Sequence, residues 1–232
     1  PLFITLPVSS KDEIGILTRT FNEMTQGLVE KERVRNLLGK VVSPEIAKKL
    51  ISEKIEVAGE QRNITVLFCD IQGFTSLSET KPPKEVLHSL NLFFSQVSQI
   101  IESNGGVIDK YIGDAVMAIF GAPQDDPNHA ANAVRAGLEI CGQADALTES
   151  LISKSGVPCQ FGVGIHSGPV VAGNIGSSSR FNYTVIGDTV NVASRLESFG
   201  GRIYDARLIV TREVVDLCPD IGFVLLGEVN LK

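Results

Sequence analysis

The sequence predicts an α+β domain with helices on a largely antiparallel sheet, in the order strand, helix, strand, strand, helix, strand, behind an N-terminal coiled-coil helix. Three observations carry that expectation. From residue 63 onward, short apolar runs bounded by glycine alternate with two long stretches of helical periodicity. Two of those runs, KYI and AVMAIF, are separated only by Gly113-Asp114, which signals a tight hairpin. Near the start, Ile14, Leu17, Phe21, Met24 and Leu28 recur at alternating spacings of three and four, the seam of a coiled coil rather than the broader face of a globular helix.

In chain order, residues 2–8 read as extended, interrupted by Pro7. Ser9 or Ser10 is the expected N-cap of the first helix, with Asp12 and Glu13 in the turn where its dipole favours acid. Residues 31–60 form a charged linker, in which Ser43-Pro44-Glu45 reads as a cap followed by proline at the first helical position, opening a helix over 45–52. A buried strand is expected over 63–71. A helix over 83–103 follows, with Val86, Leu87, Leu90, Phe93, Phe94 and Val97 on its apolar face, broken by Gly105-Gly106. Strands are expected over 107–112 and 115–120, and a second long helix over 128–153. Further strands fall over 159–166, 170–175 and 180–186, then a helix from 188 to about 198 and short strands near 207–211 and 223–226. No internal repeat is visible.

Composition removes several function classes. The 232 residues carry a net charge of −6, against the basic excess of a nucleic-acid binder, so no nucleic-acid partner is expected. The four cysteines include no C-x-x-C pair, which argues against a zinc site or a disulfide framework and suits a reducing compartment. Nothing approaches the run of about 18 apolar residues that a membrane span needs, and the opening PLFITLPVSSKDE has no basic region of a signal peptide. The abrupt start is that expected of a fragment of a longer protein.

The chemistry concentrates at two aspartates. Asp70 closes the apolar strand ITVLFCD, and Asp114 sits in the turn of KYIGDAVMAIFG. If those strands are neighbours, both carboxylates project at one edge, a donor set that suits hard Mg²⁺ or Mn²⁺ ions and the phosphate oxygens they bind. Taken alone, an aspartate at a strand end is more often a turn former or a cap. Gly73 lets backbone N–H groups approach an anion. Asn191 and Arg195 lie at i and i+4 on a helix that Asp188 can cap, hence on one face. The bland reading of Arg195 is a surface salt bridge to Glu197 or Glu139.

Four segments, LFCDIQGFTSLSE, KYIGDAVMAIFG, GVGIHSGPVVAGNIGS and YTVIGDTVNVASRLE, resemble in order and spacing the motifs of class III adenylyl and guanylyl cyclases, over roughly residues 59–232. The resemblance implies a ferredoxin-like βαββαβ sheet of the class III nucleotide cyclase fold and conversion of ATP to cyclic AMP and pyrophosphate with two divalent metal ions. It implies Asp70, Asp114 and the Ile71 carbonyl as metal ligands, Lys110 and Thr184 as the purine-reading pair, and Gly73, Phe74 and Lys232 as substrate contacts. Asn191 would position the ribose and Arg195 would stabilise the transition state, with Asp70 and water both open as the base. Because the family draws its metal aspartates from one subunit and the purine, ribose and transition-state residues from the other, it also implies a symmetric homodimer. Many adenylyl cyclases carry aspartate where this chain has Thr184; a lysine–threonine pair resembles the class IIIb subgroup. Threonine can also donate, so its choice of ATP over GTP is less sharp than a carboxylate's. The segment SSKDEIGILTRTFNEMTQGL resembles the second half of a HAMP signalling module. This gives a partial HAMP module over 1–30, a helical linker over 31–60 and a catalytic domain over 61–232, a cytoplasmic region held at a membrane through an upstream segment. A guanylate cyclase and a nucleotide-binding homologue without activity are the competing readings. A diguanylate cyclase is disfavoured because Tyr111-Ile112-Gly113-Asp114-Ala115 lacks its hairpin motif.

Overall fold

The computed structural model of the chain describes residues 4–41, 59–74, 78–79, 81–155, 160–177, 181–203 and 206–229. Two compact units, Pro1–Glu53 and Lys54–Lys232, make up the chain. In the first, an extended segment leads into helix α1 (Glu13–Val41). Its cap is Asp12 rather than Ser9 or Ser10. Asp12 Oδ1 accepts the backbone N–H groups of Ile14 at 3.1 Å and Gly15 at 3.2 Å, because a charged acceptor competes best for the orphan donors of a helix start. Ser10 Oγ instead accepts the Asp12 N–H at 3.3 Å. The extended segment is held by Asn22, whose Oδ1 accepts the Leu6 N–H at 2.9 Å and whose Nδ2 donates to the Leu6 carbonyl at 2.8 Å. This amide replaces the strand partner that Leu6 lacks. The seam residues Ile14, Leu17, Phe21, Met24 and Leu28 remain 41% to 65% exposed, an apolar stripe that one helix cannot bury on itself. The helix passes unbroken through residue 30 into the segment expected as a helical linker. The helix expected over 45–52 lies outside the described residues.

The second unit runs β1 (Gly59–Gln72), α2 (Pro83–Ser103), β2 (Val107–Ile112), β3 (Ala115–Phe120), α3 (His129–Ser155) and β4 (Gln160–Gly176), the predicted order to this point, then β5 (Phe181–Ile186), α4 (Asp188–Ile203), β6 (Leu208–Val210) and α5 (Arg212–Asp216). The sheet runs β2-β3-β1-β4-β5, every pair in that path antiparallel, with β6 parallel to β4. Side chains alternate across β1. Leu67, Cys69 and Ile71 enter the core beneath α2 and α3 with Phe93, Val97, Ala133 and Ile140, while Phe68 and Asp70 lie on the other face, in register with Gly164 and Gly162. Phe93 of α2 stacks on Phe161 of β4 with ring centroids 5.2 Å apart, and each such fully buried side chain contributes about 1.5–3 kcal/mol. Helix α2 ends as Gly105-Gly106 requires. The Gly106 N–H reaches the Ile101 carbonyl at 2.9 Å and the Gly105 N–H the Glu102 carbonyl at 3.0 Å, a Schellman closure.

Two expectations for the strands need correction. Residues 159–166 and 170–175 are not two strands; 160–176 form one. Pro169 does not break it, because β6 pairs only with Val163, Gly164 and Ile165 and β5 only from Val171 onward. Its missing N–H falls in that gap, on the side where the Pro169 carbonyl accepts the Thr189 hydroxyl at 2.8 Å. Residues 223–226 form no strand. Val224 and Leu225 are 85% and 77% exposed, with no sheet edge beside them among the described residues. The short helix α5 was not foreseen.

Candidate active site

Strands β1 and β3 are neighbours, with Cys69 opposite Val116, so the residues just beyond that pair, Asp70 and Asp114, meet at one end of the sheet. Gly113 makes this meeting feasible. Its φ of 65° belongs to the left-handed region, which lets the β2–β3 chain reverse within two residues and present Asp114 beside β1. Asp70 Oδ1 accepts the Ile71 N–H at 2.8 Å, which fixes the carboxylate at the strand end. Burial first, then the charge of Asp114, then that of Glu197 push the Asp70 carboxyl up to about 7. Two acids forced together in this way are a site that a hard cation would neutralise. Among the described residues no group of three or more His, Cys, Asp or Glu side chains could hold a metal. Such a pair instead suits ions that keep waters and take their remaining oxygens from backbone and phosphate. The two aspartates and the backbone of Ile71 fit that description, and Gly73, with φ of 80°, turns the chain immediately after them. Phe74 packs half-buried against the core. Lys232 lies outside the described residues.

Lys110 and Thr184 also meet. Lys110 Nζ donates to Thr184 Oγ1 at 3.1 Å although their strands, β2 and β5, stand at opposite ends of the sheet path. Five flat strands at about 4.8 Å spacing would hold these ends nearly 20 Å apart, so the sheet curls until its ends converge. A third residue completes the cluster. Asp109 Oδ2 accepts Lys110 Nζ at 3.1 Å and the Thr184 hydroxyl at 2.9 Å, with the Asp109 side chain fully buried. Strand alternation puts Asp109 and Lys110 on opposite faces, which is why Asp109 was not foreseen from the sequence. The pairing of β2 with β3 slips between Ile108 and Lys110, and this bulge turns both side chains to the same side.

Asn191 and Arg195 share the exposed face of α4, whose Ala193, Leu196 and Glu197 are buried against the sheet. Asp188 is the first helical residue rather than a cap outside it. Glu197, considered in the sequence only as a partner for Arg195, lies beside Asp70. A Cβ on Gly162, the residue paired with Asp70, would come 2.6 Å from Glu197 Oε1. The chain therefore brings together the aspartates and, on other strands, Lys110 with Thr184, and leaves Asn191 and Arg195 on the exposed face of α4.

Comparison with known proteins places this geometry. The family model described as the adenylate and guanylate cyclase catalytic domain matches residues 56–232, and that of the HAMP domain matches residues 4–30. An uncharacterized protein of Mycobacterium tuberculosis is 38% identical over 215 residues, 93% of this chain and 38% of that protein. A second from the same organism is 39% identical over 212 residues, 90% of this chain and 35% of that protein. The chain thus spans little more than a third of these relatives. Among solved structures, the guanylyl cyclase Cya2 is 35% identical with a TM-score of 0.65, covering 70% of this chain and 81% of its own. The adenylyl cyclase CyaB from P. aeruginosa is 34% identical at the same TM-score, covering 70% and 83%. A bacterial light-regulated adenylyl cyclase is 28% identical with a TM-score of 0.78, covering 96% of this chain and 63% of its own.

Proposed function

The chain belongs to the adenylate and guanylate cyclase catalytic-domain family, preceded by part of a HAMP domain, and from that membership we propose that it is an adenylate cyclase acting as a homodimer. The observation that carries the proposal is the meeting of Asp70 and Asp114 at adjacent strand ends, where a carboxylate pair has no structural reason to be crowded.

In this reading Asp70, Asp114 and the Ile71 carbonyl hold two Mg²⁺ or Mn²⁺ ions. When bound, such ions lower the pKa of the ribose 3′-hydroxyl and neutralise the triphosphate. Lys110 donates to adenine N1 and Thr184 accepts from the exocyclic amine. Asn191 holds the ribose and the Arg195 guanidinium meets the charge that develops at phosphorus. Gly73, Phe74 and, at the chain's end, Lys232 complete the substrate contacts. The 3′-oxygen attacks the α-phosphorus, the bond to the β-phosphate oxygen breaks, and pyrophosphate leaves. The 3′-hydroxyl proton passes to water or Asp70. Most of the acceleration comes from positioning.

The solved relatives include both adenylyl and guanylyl cyclases, so the choice of ATP rests on Lys110 and Thr184, the pair that resembles class IIIb. The dimer is supported by the family membership and by the exposure of Asn191 and Arg195 on α4. One chain's exposed Asn191 and Arg195 complete the site that its partner's aspartates begin, giving two equivalent sites. The exposed seam of α1 supplies a second, independent surface for pairing. Domain 61–232 is catalytic, 1–30 is the HAMP segment and 31–60 connects them, so a rearrangement of the N-terminal pair would reorient both sites together. No helix among the described residues is long and apolar enough to cross a membrane. A cytoplasmic position below an upstream membrane anchor is the setting that the HAMP segment suggests.

The test is product formation from ATP and from GTP, each with Mg²⁺ and with Mn²⁺, by wild type and Asp114→Ala. Cyclic AMP that falls by at least about 100-fold in the variant is expected. A dimer that makes no cyclic product from either nucleotide would leave the signalling-only reading. Cyclic GMP as the main product would make the protein a guanylate cyclase.

A further inference from the structure

We propose that Asp109 is a specificity-determining residue, which fixes the Thr184 hydroxyl as an acceptor and thereby makes a threonine discriminate adenine from guanine as a carboxylate would. The inference rests on the reading of Lys110 and Thr184 as the purine pair and goes beyond it to a residue that touches no substrate.

A threonine hydroxyl has one proton and two lone pairs, and left to itself it turns to suit its partner. Adenine offers a donor in its exocyclic amine and guanine an acceptor in its O6, so a freely turning hydroxyl accommodates both. Here it cannot turn. The Thr184 proton is directed at Asp109 Oδ2, 2.9 Å away, and the same oxygen accepts Lys110 Nζ at 3.1 Å. Lys110 Nζ donates in addition to Thr184 Oγ1 at 3.1 Å, closing a three-membered ring of bonds. One Thr184 lone pair is left, and it can only accept. Lys110 has used two of its three N–H groups, and its side chain is 45% exposed, so the third faces outward as a donor. The ring therefore displays one donor beside one acceptor, the complement of adenine N1 and its amine. Against guanine it opposes a donor to N1–H and an acceptor to O6.

The surroundings hold Asp109 to this task. Its side chain is fully buried, and Oδ1 has no hydrogen-bond partner among the described residues, so the carboxyl has nothing else to bind. Burial raises its pKa and the Lys110 ammonium opposes that rise, but Oδ2 accepts both bonds in either protonation state, a proton on Oδ1 leaving it free. The β-bulge that turns Asp109 toward Lys110 supplies the geometry without any loop that must close.

The experiment measures the affinities of the full chain for 3′-deoxy-ATP and 3′-deoxy-GTP, which cannot cyclise, by calorimetry with Mn²⁺. Wild type, Asp109→Ala and the double variant Asp109→Ala/Thr184→Asp are compared. Wild type is expected to favour the ATP analogue, and Asp109→Ala to lower that preference about tenfold, the effect of one misdirected hydrogen bond. The double variant, with an obligate acceptor at position 184, is expected to regain it. A structural role alone would weaken both analogues in parallel and leave their ratio unchanged; that result, or a wild type that binds the two equally, overturns the proposal. Cyclic AMP production by wild type is read separately. Its absence together with the expected shift in binding would refute the cyclase reading while leaving this one standing.

Discussion

Replacing Gly164 by alanine tests how α4 is placed on the sheet. Gly164 lies mid-strand in β4, opposite Phe68, and its missing side chain faces the backbone of α4. An added Cβ would come 2.7 Å from the Ala193 carbonyl oxygen and 2.8 Å from Glu197 Cα, and would press on the Glu197 amide as well, where ordinary contact begins at 3.4 Å. All three obstacles are backbone atoms of one helix, so no side chain can swing aside. The helix must retreat by about 1 Å or the strand must bend, an overpacking cost of about 1–3 kcal/mol. Since α4 carries Asn191 and Arg195, a shift of that size is expected to lower turnover by about 10-fold to 100-fold. Urea denaturation reads the first effect and cyclic AMP production the second. Gly142→Ala is the control: it sits in helix α3 with nothing within 4 Å of the added methyl, so it is expected to stabilise by about 0.5–1 kcal/mol and leave turnover unchanged. A Gly164→Ala protein as stable and as active as wild type would refute the close packing of α4 on β4.

Two further outcomes follow from other parts of the chain. Burial holds the His129 pKa below 6.5, the nearby Asp126 charge opposing, with Thr65 Oγ1 2.6 Å from its Nδ1. The unfolded chain therefore takes up this proton first as pH falls, so the stability tied to neutral His129 is complete above 6.5 and is lost as pH drops through the lower folded value. The stability gap between wild type and His129→Gln, from urea melts at about pH 7.5 and about pH 5.5, should move in the variant's favour at the lower pH; a gap independent of pH would contradict this. In the first unit, Phe21→Glu places a charge mid-seam on α1. It should weaken self-association of the full chain by at least about tenfold in sedimentation, and unchanged association would show that the seam does not pair.

Much of the fold was legible because periodicity and glycine placement reported the same boundaries. The strands at Val107–Ile112 and Ala115–Phe120 and the helix at Pro83–Ser103 fall where their patterns put them. The misses have physical causes. The single strand over 160–176 was expected as two, with Pro169 in the gap between them; its lost donor faces a space between two partner strands that only the tertiary arrangement creates. Val224 to Leu226 look like a strand by composition, yet among the described residues no sheet edge pairs with them. At the site, Asp70 with Asp114 and Lys110 with Thr184 were readable from the motifs, and the structure supplies the contacts. Asp109 was hidden because a strand of period two assigns it to the face opposite Lys110, and nothing local marks the bulge that reverses this. Glu197 was hidden because its role depends on Gly162, a neighbour across two elements.

The most direct test of the proposed shared site is complementation between two disabled chains. Asp70→Ala lacks a metal ligand and Arg195→Ala lacks the transition-state arginine, so each alone should be at least about 100-fold less active than wild type. Unfolded together and refolded as a mixture, half of the dimers would be mixed, each with one intact site of two, and about a quarter of wild-type cyclic AMP production should return. A mixture as inactive as its two components, with mixed dimers demonstrated, would contradict a site built from both chains.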